Sequence, residues 1–269
     1  MKYRILIISF LFISEHLCAQ KIQWELLWKT AVKGKNLDTD NLGNAYVINA
    51  DVISKYRDNG QFYRVYSNKK MGKITFADVS NPLKIVLFYR DFSRIIFVDN
   101  TLTENGNPLQ LEDRDMELAS LACTSYDNGL WLYDPVRFVL VRYNQQLQET
   151  VRITNLNQIL GYAPDPDFMT EHESMLYIND PARGILKFDI FGTYLSTIPL
   201  KGLRTFQVEA NSVFYSNTKG KLMAFGLKTL QTDTITLPTK SYEELNWWKD
   251  RVYLLSGDSL AAYRYLPAQ

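Results

Sequence analysis

An internal repeat constrains the fold of this chain more than any single motif does. Short apolar segments with an aromatic residue inside them recur after turns along most of the sequence. The central aromatic residues lie at intervals of 42, 43, 46, 38 and 38 residues; they are Tyr46, Phe88, Trp131, Tyr177, Tyr215 and Tyr253. A period of about 40 to 45 residues is that of a four-stranded propeller blade. Because the strands are short and no long helical pattern interrupts them, the sequence predicts an all-β fold.

Each repeat divides into strand-like segments separated by turn residues. In the fourth repeat these segments cover 167–172, 175–179, 184–189 and 194–200. The first repeat divides in the same way, and its Asp58-Asn59-Gly60 is a strong hairpin signal. The middle strands do not alternate strictly between apolar and polar residues, which is typical of sheets covered on both faces. We therefore expect a six-bladed β-propeller with four-stranded antiparallel blades.

The two ends of the chain are predicted to share one blade. The sixth repeat has only three strand-like segments, and the segment 22–30 precedes the first repeat as an additional one. If 22–30 supplies the outer strand of the last blade, the ring closes and only short, protected edges remain. The alternative for 22–30 is an amphipathic helix, because Trp24, Leu27 and Trp28 would then share one face.

Residues 1–19 have the pattern of a secretory signal peptide. Lys2 and Arg4 precede an apolar run over 5–13, and Ala19 is the small residue expected before the cleavage site. The run is too short to span a bilayer, and no later run reaches that length. The alternative is a buried N-terminal strand. We therefore expect a signal peptide over 1–19, a single propeller domain over 20–269, and an exported, periplasmic protein without a transmembrane segment in its mature chain.

Charge and cysteine content narrow the classes of partner. The 30 basic and 29 acidic residues become 28 of each once Lys2, Arg4 and Glu15 are removed with the signal peptide. A balanced chain without a basic run has no general attraction to nucleic acid or to anionic lipid, so we expect no nucleic-acid partner. Cys123 is the one cysteine of the mature chain, which leaves no intrachain disulfide.

The blade sequences resemble those of a known group of propellers. The resemblance is carried by Asp-Asn-Leu-Gly-Asn-Ala-Tyr-Val at 40–47, by Ile-Ser-Lys-Tyr at 53–56 and by Asn-Gly-Gln-Phe at 59–62. These segments are similar to NHL-like propellers, in the first and fourth blades above all. The resemblance implies a fold and leaves the function open.

A second resemblance concerns the whole chain. The signal peptide, the Ala19-Gln20 junction and the stretch 81–105 resemble exported propellers of the Bacteroidota. Among these, the full-length pattern is similar to the periplasmic plug subunits of the type IX secretion translocon. Membership of that family implies a propeller that lies under an outer-membrane protein pore and closes it.

The sequence contains few of the residue combinations that catalytic and metal sites require. A Ser-His-Asp or Cys-His arrangement needs a placed histidine, and the mature chain has only His172. One histidine and one distant cysteine do not make a zinc site, and the acidic stretches at 112–117 and 164–167 lack the spacing of an EF-type calcium loop. No phosphate-binding glycine loop is present, and Trp247 and Trp248 are expected to point to opposite faces of a strand. We expect no catalytic residue, no metal and no cofactor.

One charged pattern recurs in three successive repeats. An Asp follows the aromatic anchor by three residues and an Arg by six, which gives Asp91 and Arg94, Asp134 and Arg137, and Asp180 and Arg183. All fall in turns between second and third strands, which share one face of a propeller. The pattern is either a turn signature or, with Arg90, Phe92 and Phe138, a partner-binding rim of Arg and aromatic residues.

Three functions remain open. The first is a rigid, non-catalytic interaction module that binds an outer-membrane or other envelope protein complex, most concretely as a translocon plug. The second is a propeller that binds envelope carbohydrate or peptidoglycan. The third is a metal-dependent propeller lyase or hydrolase.

Overall fold

The computed structural model describes residues 23–217 and 219–266, which form six four-stranded antiparallel sheets arranged as the blades of a propeller. The predicted all-β, six-bladed architecture is therefore confirmed. The predicted signal peptide over 1–19 and its cleavage site lie outside the described residues.

Five blades are each built from four consecutive strands. Blade 1 contains β2 (Asn36–Thr39), β3 (Ala45–Asn49), β4 (Val52–Tyr56) and β5 (Phe62–Ser67). Blade 2 contains β6 (Phe76–Asp78), β7 (Ile85–Tyr89), β8 (Arg94–Val98) and β9 (Leu109–Gln110). Blade 3 contains β10 (Leu121–Thr124), β11 (Leu130–Asp134), β12 (Val139–Tyr143) and β13 (Glu149–Ile153). Blade 4 contains β14 (Phe168–His172), β15 (Met175–Asp180), β16 (Gly184–Asp189) and β17 (Tyr194–Ile198). Blade 5 contains β18 (Gln207–Glu209), β19 (Ser212–Ser216), β20 (Leu222–Gly226) and β21 (Thr232–Ile235).

Blade 6 joins the two ends of the described chain. Its strands are β22 (Glu244–Trp248), β23 (Arg251–Ser256), β24 (Ser259–Leu266) and, on the outside, β1 (Gln23–Ala31). β1 pairs antiparallel with β24 over its whole length. The prediction that the N-terminal segment completes the last blade is confirmed, and the helical alternative for 22–30 is wrong over the described part of that segment.

A β-bulge in β1 directs two tryptophan side chains to opposite faces of the strand, so that they contact different neighbouring blades. Trp24 and Trp28 are four residues apart and would share one face of a regular strand, but the pairing with β24 skips Leu27. Trp24 therefore reaches blade 5, where its indole N–H donates to the Thr236 carbonyl at 2.7 Å. Trp28 reaches blade 1 and donates to the Asp58 carbonyl at 2.8 Å.

The contact with blade 1 depends on a glycine. Gly60 lies in the hairpin turn of blade 1 with φ of 81°, and a Cβ atom there would lie 2.5 Å from the Trp28 ring. Only glycine combines this left-handed backbone with so close an approach. Trp28 also packs edge-on against Tyr253, with ring centroids 5.9 Å apart. The bulged strand β1 therefore connects blade 6 to both of its neighbours, blade 5 and blade 1, and stabilises the closed propeller.

The core lies between blades rather than inside one central cluster. Middle strands such as β7, β11 and β12 are buried along their entire length, because neighbouring blades cover both of their faces. Buried apolar clusters join blades 1 and 2, 2 and 3, 3 and 4, 4 and 5, and 6 and 1. Blades 5 and 6 meet instead through partly buried aromatic side chains. Among these, Phe214 and Trp247 stack with their ring centroids 5.2 Å apart.

Connections divide the propeller into two faces. The connection face carries the turns between second and third strands together with the segments that link one blade to the next. These links hold the α-helix α1 (Leu156–Leu160) and the 3-10 helices Lys69–Met71 and Glu112–Arg114, while a third 3-10 helix, Arg90–Phe92, forms a turn. The hairpin face carries the remaining turns. No helix in the described ranges is long and apolar enough to cross a membrane.

Candidate functional site

The charged residues singled out in the sequence lie on the connection face, but they differ in accessibility. Asp134 and Asp180 are 0% and 2% exposed. The Asp134 carboxylate accepts hydrogen bonds from the backbone N–H groups of Val136 and Arg137, at 2.8 and 3.0 Å. Asp180 accepts the corresponding bonds from Ala182 and Arg183. Both aspartates therefore stabilise their turns through bonds to the turn backbone. Their buried carboxylates are not accessible to a partner.

Asp91 does not belong to the same pattern. Asp134 and Asp180 are the last residues of second strands, and in blade 2 that place is taken by Tyr89, which pairs with Arg94. Counting from Phe88 overshoots the strand end by two residues, so Asp91 falls inside the 3-10 helix and is exposed. The recurrence seen in the sequence is therefore real in blades 3 and 4 and coincidental in blade 2.

The three arginines have different partners, and Arg94 is the first residue of β8 rather than a turn residue as predicted. Arg137 donates to Glu117 and to the Asp115 carbonyl, and its guanidinium lies 3.5 Å from Asp134. Arg183 lies over the ring of Tyr162, 4.5 Å from its centroid. Arg94 is partly buried, and its nearest polar contact is a 4.0 Å approach to the sulfur of Met71.

These contacts join the turns of blades 2, 3 and 4 to the links between them in one continuous series. We call it the blade 2–4 rim; it consists of the turns 90–93, 135–138 and 181–183 and the links 111–120 and 154–167. The Ser93 hydroxyl donates to the Glu117 carbonyl, and the backbone N–H of Leu156 donates to the Phe138 carbonyl. Since each turn is fixed by a link from the adjacent blade boundary, the rim is a preformed surface.

Exposed apolar side chains follow the same rim. Phe92 is 46% exposed and Val136 is 66% exposed, and they lie in successive turns. Leu118 and Ile159 lie in the links beside them, at 44% and 52% exposure. Arg90, Arg137 and Arg183 are exposed among them, while Phe138 is partly buried. Apolar side chains interspersed with arginines are typical of protein-binding surfaces. Ile159, with Leu160 and Tyr162, is an apolar contact that the sequence also offers in the longest interval, whereas Val136 and Leu118 were not singled out, because the order of links around the ring is needed to bring them together.

A cavity on the propeller axis is the second feature of the connection face. Its volume is about 460 Å³, and it is lined by the first strands of five blades and by the links that enter them. Four phenylalanines contribute to its apolar lining; they are Phe76, Phe168, Phe206 and Phe214. Phe168 packs edge-on against both Phe76 and Phe206, with centroids 5.9 and 5.2 Å apart.

Polar side chains from three blades meet at one side of this cavity. Asn246 of β22 donates from Nδ2 to Oδ1 of Asp38 at 3.0 Å and accepts from Nε2 of Gln207 at 2.8 Å. Gln207 is held in turn by the backbone N–H of Trp247, which donates to its Oε1 at 2.6 Å. The side chains belong to β2, β18 and β22, so only the closed ring assembles them.

Burial alters the acidity of the carboxyl groups in the cavity. Burial raises the pKa of Asp38 to about 7, and the negative charge of Asp78 adds to the effect. Burial also raises the pKa of Glu244, although Arg204 lies 3.1 Å away and opposes the shift. The pKa of Asp167 is raised by the same cause. Several protonatable groups in one cavity are typical of binding and catalytic sites.

Sequence reasoning missed this site. One signal was present, since polar residues interrupt several of the apolar first strands, among them Asp38, Asp78 and Asn246. Alignment of the first strands alone, rather than of the aromatic anchors in the second strands, would have exposed that recurrence.

The hairpin face carries a smaller polar cleft of about 360 Å³. It is lined mainly by hydroxyl and amide side chains, with two carboxylates; the lining includes Ser80, Asn81, Asn128, Glu171 and Glu173. Tyr126 lies at its edge and is 57% exposed. Such a cleft can offer hydrogen bonds to a polar, hydroxylated ligand.

The other candidates from the sequence remain separate from one another. His172 ends β14, with its Nε2 3.9 Å from a Glu173 oxygen, and Cys123 is buried. Burial raises the pKa of the Cys123 thiol well above its usual value. Within 23–217 and 219–266, no three His, Cys, Asp or Glu side chains converge in a way that could hold a metal ion.

Comparisons with known proteins support the fold alone. The sequence matches no protein-family model and no curated protein. Among solved structures, the WD40 domain of Pan2 from Neurospora crassa is similar, with a TM-score of 0.62 at 5% identity over 90% of this chain and 95% of that one. A streptogramin B lyase gives 0.60 at 11% identity over 91% and 98% of the two chains. BamB from Moraxella catarrhalis gives 0.52 at 13% identity over 85% and 82%. At such identities, a shared fold does not imply a shared activity.

Proposed function

We propose that this chain is a non-catalytic, exported interaction module that binds an envelope protein complex through the blade 2–4 rim. The observation that carries the proposal is the rim itself, where exposed apolar side chains and arginines are held on a surface fixed by hydrogen bonds between turns and links. Apolar, aromatic and arginine side chains supply most of the binding energy in protein interfaces. In its most concrete form, the module is a plug-like subunit of an outer-membrane protein translocon of the type IX secretion type.

The closed ring suits such a role. Both ends of the described chain lie in one blade, so the propeller can be rigid without a disulfide, and its second-to-third-strand turns need no rearrangement on binding. A preformed surface loses little conformational entropy when it binds, which favours tight association for its area. The function proposed here uses no bound cofactor and no metal.

Capture from native envelopes tests the proposal. The tagged chain, extracted from its own envelope in mild detergent, is expected to bring down a large outer-membrane protein. The double variant Phe92→Asp with Val136→Asp should reduce the yield of that protein at least tenfold, because two charges then interrupt the apolar rim. The matched control is Phe191→Asp, which places the same charge on the hairpin face at a residue that is 75% exposed.

Two outcomes would contradict the proposal. One is recovery of the chain only as a free monomer under conditions that preserve other envelope complexes. The other is an equal loss of the captured protein in the rim variant and in the Phe191 control, which would place the contact elsewhere or attribute the effect to general destabilisation.

A carbohydrate-binding function is the second candidate, and the polar cleft of the hairpin face favours it. Exposed Tyr126 beside amide and hydroxyl groups offers a ring for stacking and donors for sugar hydroxyls. Retention on envelope polysaccharide that is lost in Tyr126→Ala and kept in the rim variant would support this function over the first.

A further inference from the structure

The axial cavity contains a carboxylate whose hydrogen bonding is incomplete. Asp38 receives a bond from the backbone N–H of Thr39 at 2.8 Å and one from Asn246 at 3.0 Å, and both end on Oδ1. Within the described ranges no donor reaches Oδ2, and no Lys, Arg or His lies within salt-bridge distance of Asp38. Asp38 is partly buried at the cavity, and a carboxylate that loses part of its water is stabilised by a donor or a cation that replaces it.

Two other carboxylates on first strands, those of Asp78 and Glu171, accept hydrogen bonds from the protein on both of their oxygens. Asp78 accepts four hydrogen bonds, two on each oxygen, from Ser80 and Thr124. Glu171 accepts from Ser125, from the backbone N–H of Tyr126 and from the indole of Trp131. Both groups join neighbouring blades. Asp38 differs because its second oxygen remains available and the axial cavity lies beside it.

The charge of the cavity lining is predominantly negative. Asp38, Asp167, Glu243 and Glu244 line it, against the single cation Arg204. The Arg204 guanidinium binds Glu244 at 3.1 Å and is 83% exposed, so it stands at the mouth and does not reach Asp38. Phenylalanines from blades 2, 4 and 5 line the same cavity, and aromatic faces attract cations.

We infer that the axial cavity binds an organic cation, an ammonium or guanidinium group carried on an apolar body, with the charged group against Asp38 and the body against the phenylalanines. The volume of about 460 Å³ is in the range of small-ligand sites. The cation can be a free amine, or it can be the side chain of a lysine or arginine in a peptide that enters from the connection face. The inference does not depend on the proposed interaction role.

Binding of a cation is coupled to proton release. The empty cavity favours protonated Asp38, whose pKa is raised to about 7, whereas a bound cation favours the ionised form. The charged groups around Asp38 are Asp40 directly after its own strand, Asp78 on β6, Glu243 and Glu244 at β22, Asp167 before β14 and Arg204 before β18. Affinity for the cation is therefore expected to rise between pH 6 and pH 8, where Asp38 ionises.

Calorimetry with matched probes tests the inference. Phenethylamine is the cationic probe, 2-phenylethanol is its uncharged analogue, and acetyl-lysine amide represents a peptide side chain. At pH 7 we expect at least one of the two cations to bind at least tenfold more tightly than the alcohol, and to release a fraction of a proton, measured in buffers of different ionisation enthalpy. Tighter binding of phenethylamine assigns the site to a free amine, and tighter binding of acetyl-lysine amide assigns it to a peptide side chain.

A variant identifies the group that binds the charge. Asp38→Asn keeps the shape and the acceptor for Asn246 but removes the charge, and it should weaken cation binding at least tenfold and abolish proton release. Asp233→Asn, on the exposed outer strand of blade 5, is the matched control and should bind as the unchanged protein does. Equal affinity for amine and alcohol in the unchanged protein, unaltered binding in a folded Asp38→Asn variant, or no binding of either cation at millimolar concentration would overturn the inference.

Discussion

At the scale of single residues, the same side chain has opposite roles in neighbouring turns of the rim. Asp134 is inaccessible and accepts two backbone hydrogen bonds, whereas Asp91 is exposed two residues beyond the end of its strand. The difference arises from where each turn begins relative to its strand. Residue type and spacing alone do not distinguish a carboxylate that builds a turn from one that is free to meet a partner.

Paired substitutions measure that difference. Asp134→Ala should lower the free energy of unfolding by about 1–3 kcal/mol, because the backbone N–H groups of Val136 and Arg137 lose a buried carboxylate acceptor. Asp91→Ala should change it by less than about 0.5 kcal/mol, as is usual for an exposed site. Urea unfolding of both variants checks this. Equal destabilisation by the two substitutions would show that the buried bonds do not stabilise the turn.

At the scale of elements, the bulge in β1 decides how the ring is closed. With Leu27 skipped in the pairing, Trp24 and Trp28 anchor the strand to blades 5 and 1 respectively. A one-residue shift in a strand moves every later side chain to the other face. The bulge is thus a structural requirement of the closure rather than an irregularity.

Deletions in β1 test this role. Removal of Leu26 and Leu27 together leaves Trp24 and Trp28 two residues apart, on one face of a regular strand, so Trp28 would turn toward blade 5 and lose both its bond to the Asp58 carbonyl and its packing on Tyr253. We expect a loss of about 2 kcal/mol, which for a domain of this size lowers the Tm by about 4–8 °C. Removal of Leu27 alone is the control, because it leaves the two tryptophans three residues apart and therefore on opposite faces. A Tm of the double deletion no lower than that of the single deletion would contradict the need for anchors on opposite faces.

At the scale of the whole molecule, the blade boundaries are not equally packed. Five boundaries contain a cluster of buried apolar residues, while blades 5 and 6 meet through partly buried rings such as Phe214 and Trp247. The strands of blade 5 are also less buried than those of blade 3. Regions with less apolar burial open more readily.

Hydrogen exchange monitored by mass spectrometry should reveal this gradient. We expect amides in β19 and β20 to exchange at least tenfold faster than those in β11 and β12, which corresponds to a difference of about 1.4 kcal/mol in opening free energy. Uniform protection across all six blades would show instead that the ring opens only as a unit and that the boundary between blades 5 and 6 is as stable as the others.

The outline of the propeller was accessible from the sequence because it depends on local chemistry. Aromatic residues in apolar strands and glycine or aspartate in turns recur with the blade period, and the short sixth repeat required an outer strand from 22–30. The positions of strands in the first and fourth blades follow the turn residues to within one or two residues. Partner-binding by the rim stays a prediction.

The tertiary structure decided which side chains share a surface. The sequence by itself determined the number of blades and their strand order, since both follow from patterns within about 45 residues. It also determined the closure, because the last repeat lacks a fourth strand and the N-terminal segment is a surplus one. It did not determine the shift at Asp91, because that depends on where one strand ends against its neighbour. Nor did it reveal the axial cavity, where Asp38, Gln207 and Asn246 meet across up to 208 residues of chain. Such contacts form only when the propeller closes, because closure brings together side chains from strands that are far apart in the chain. A local sequence pattern therefore does not predict which residues face the axis together.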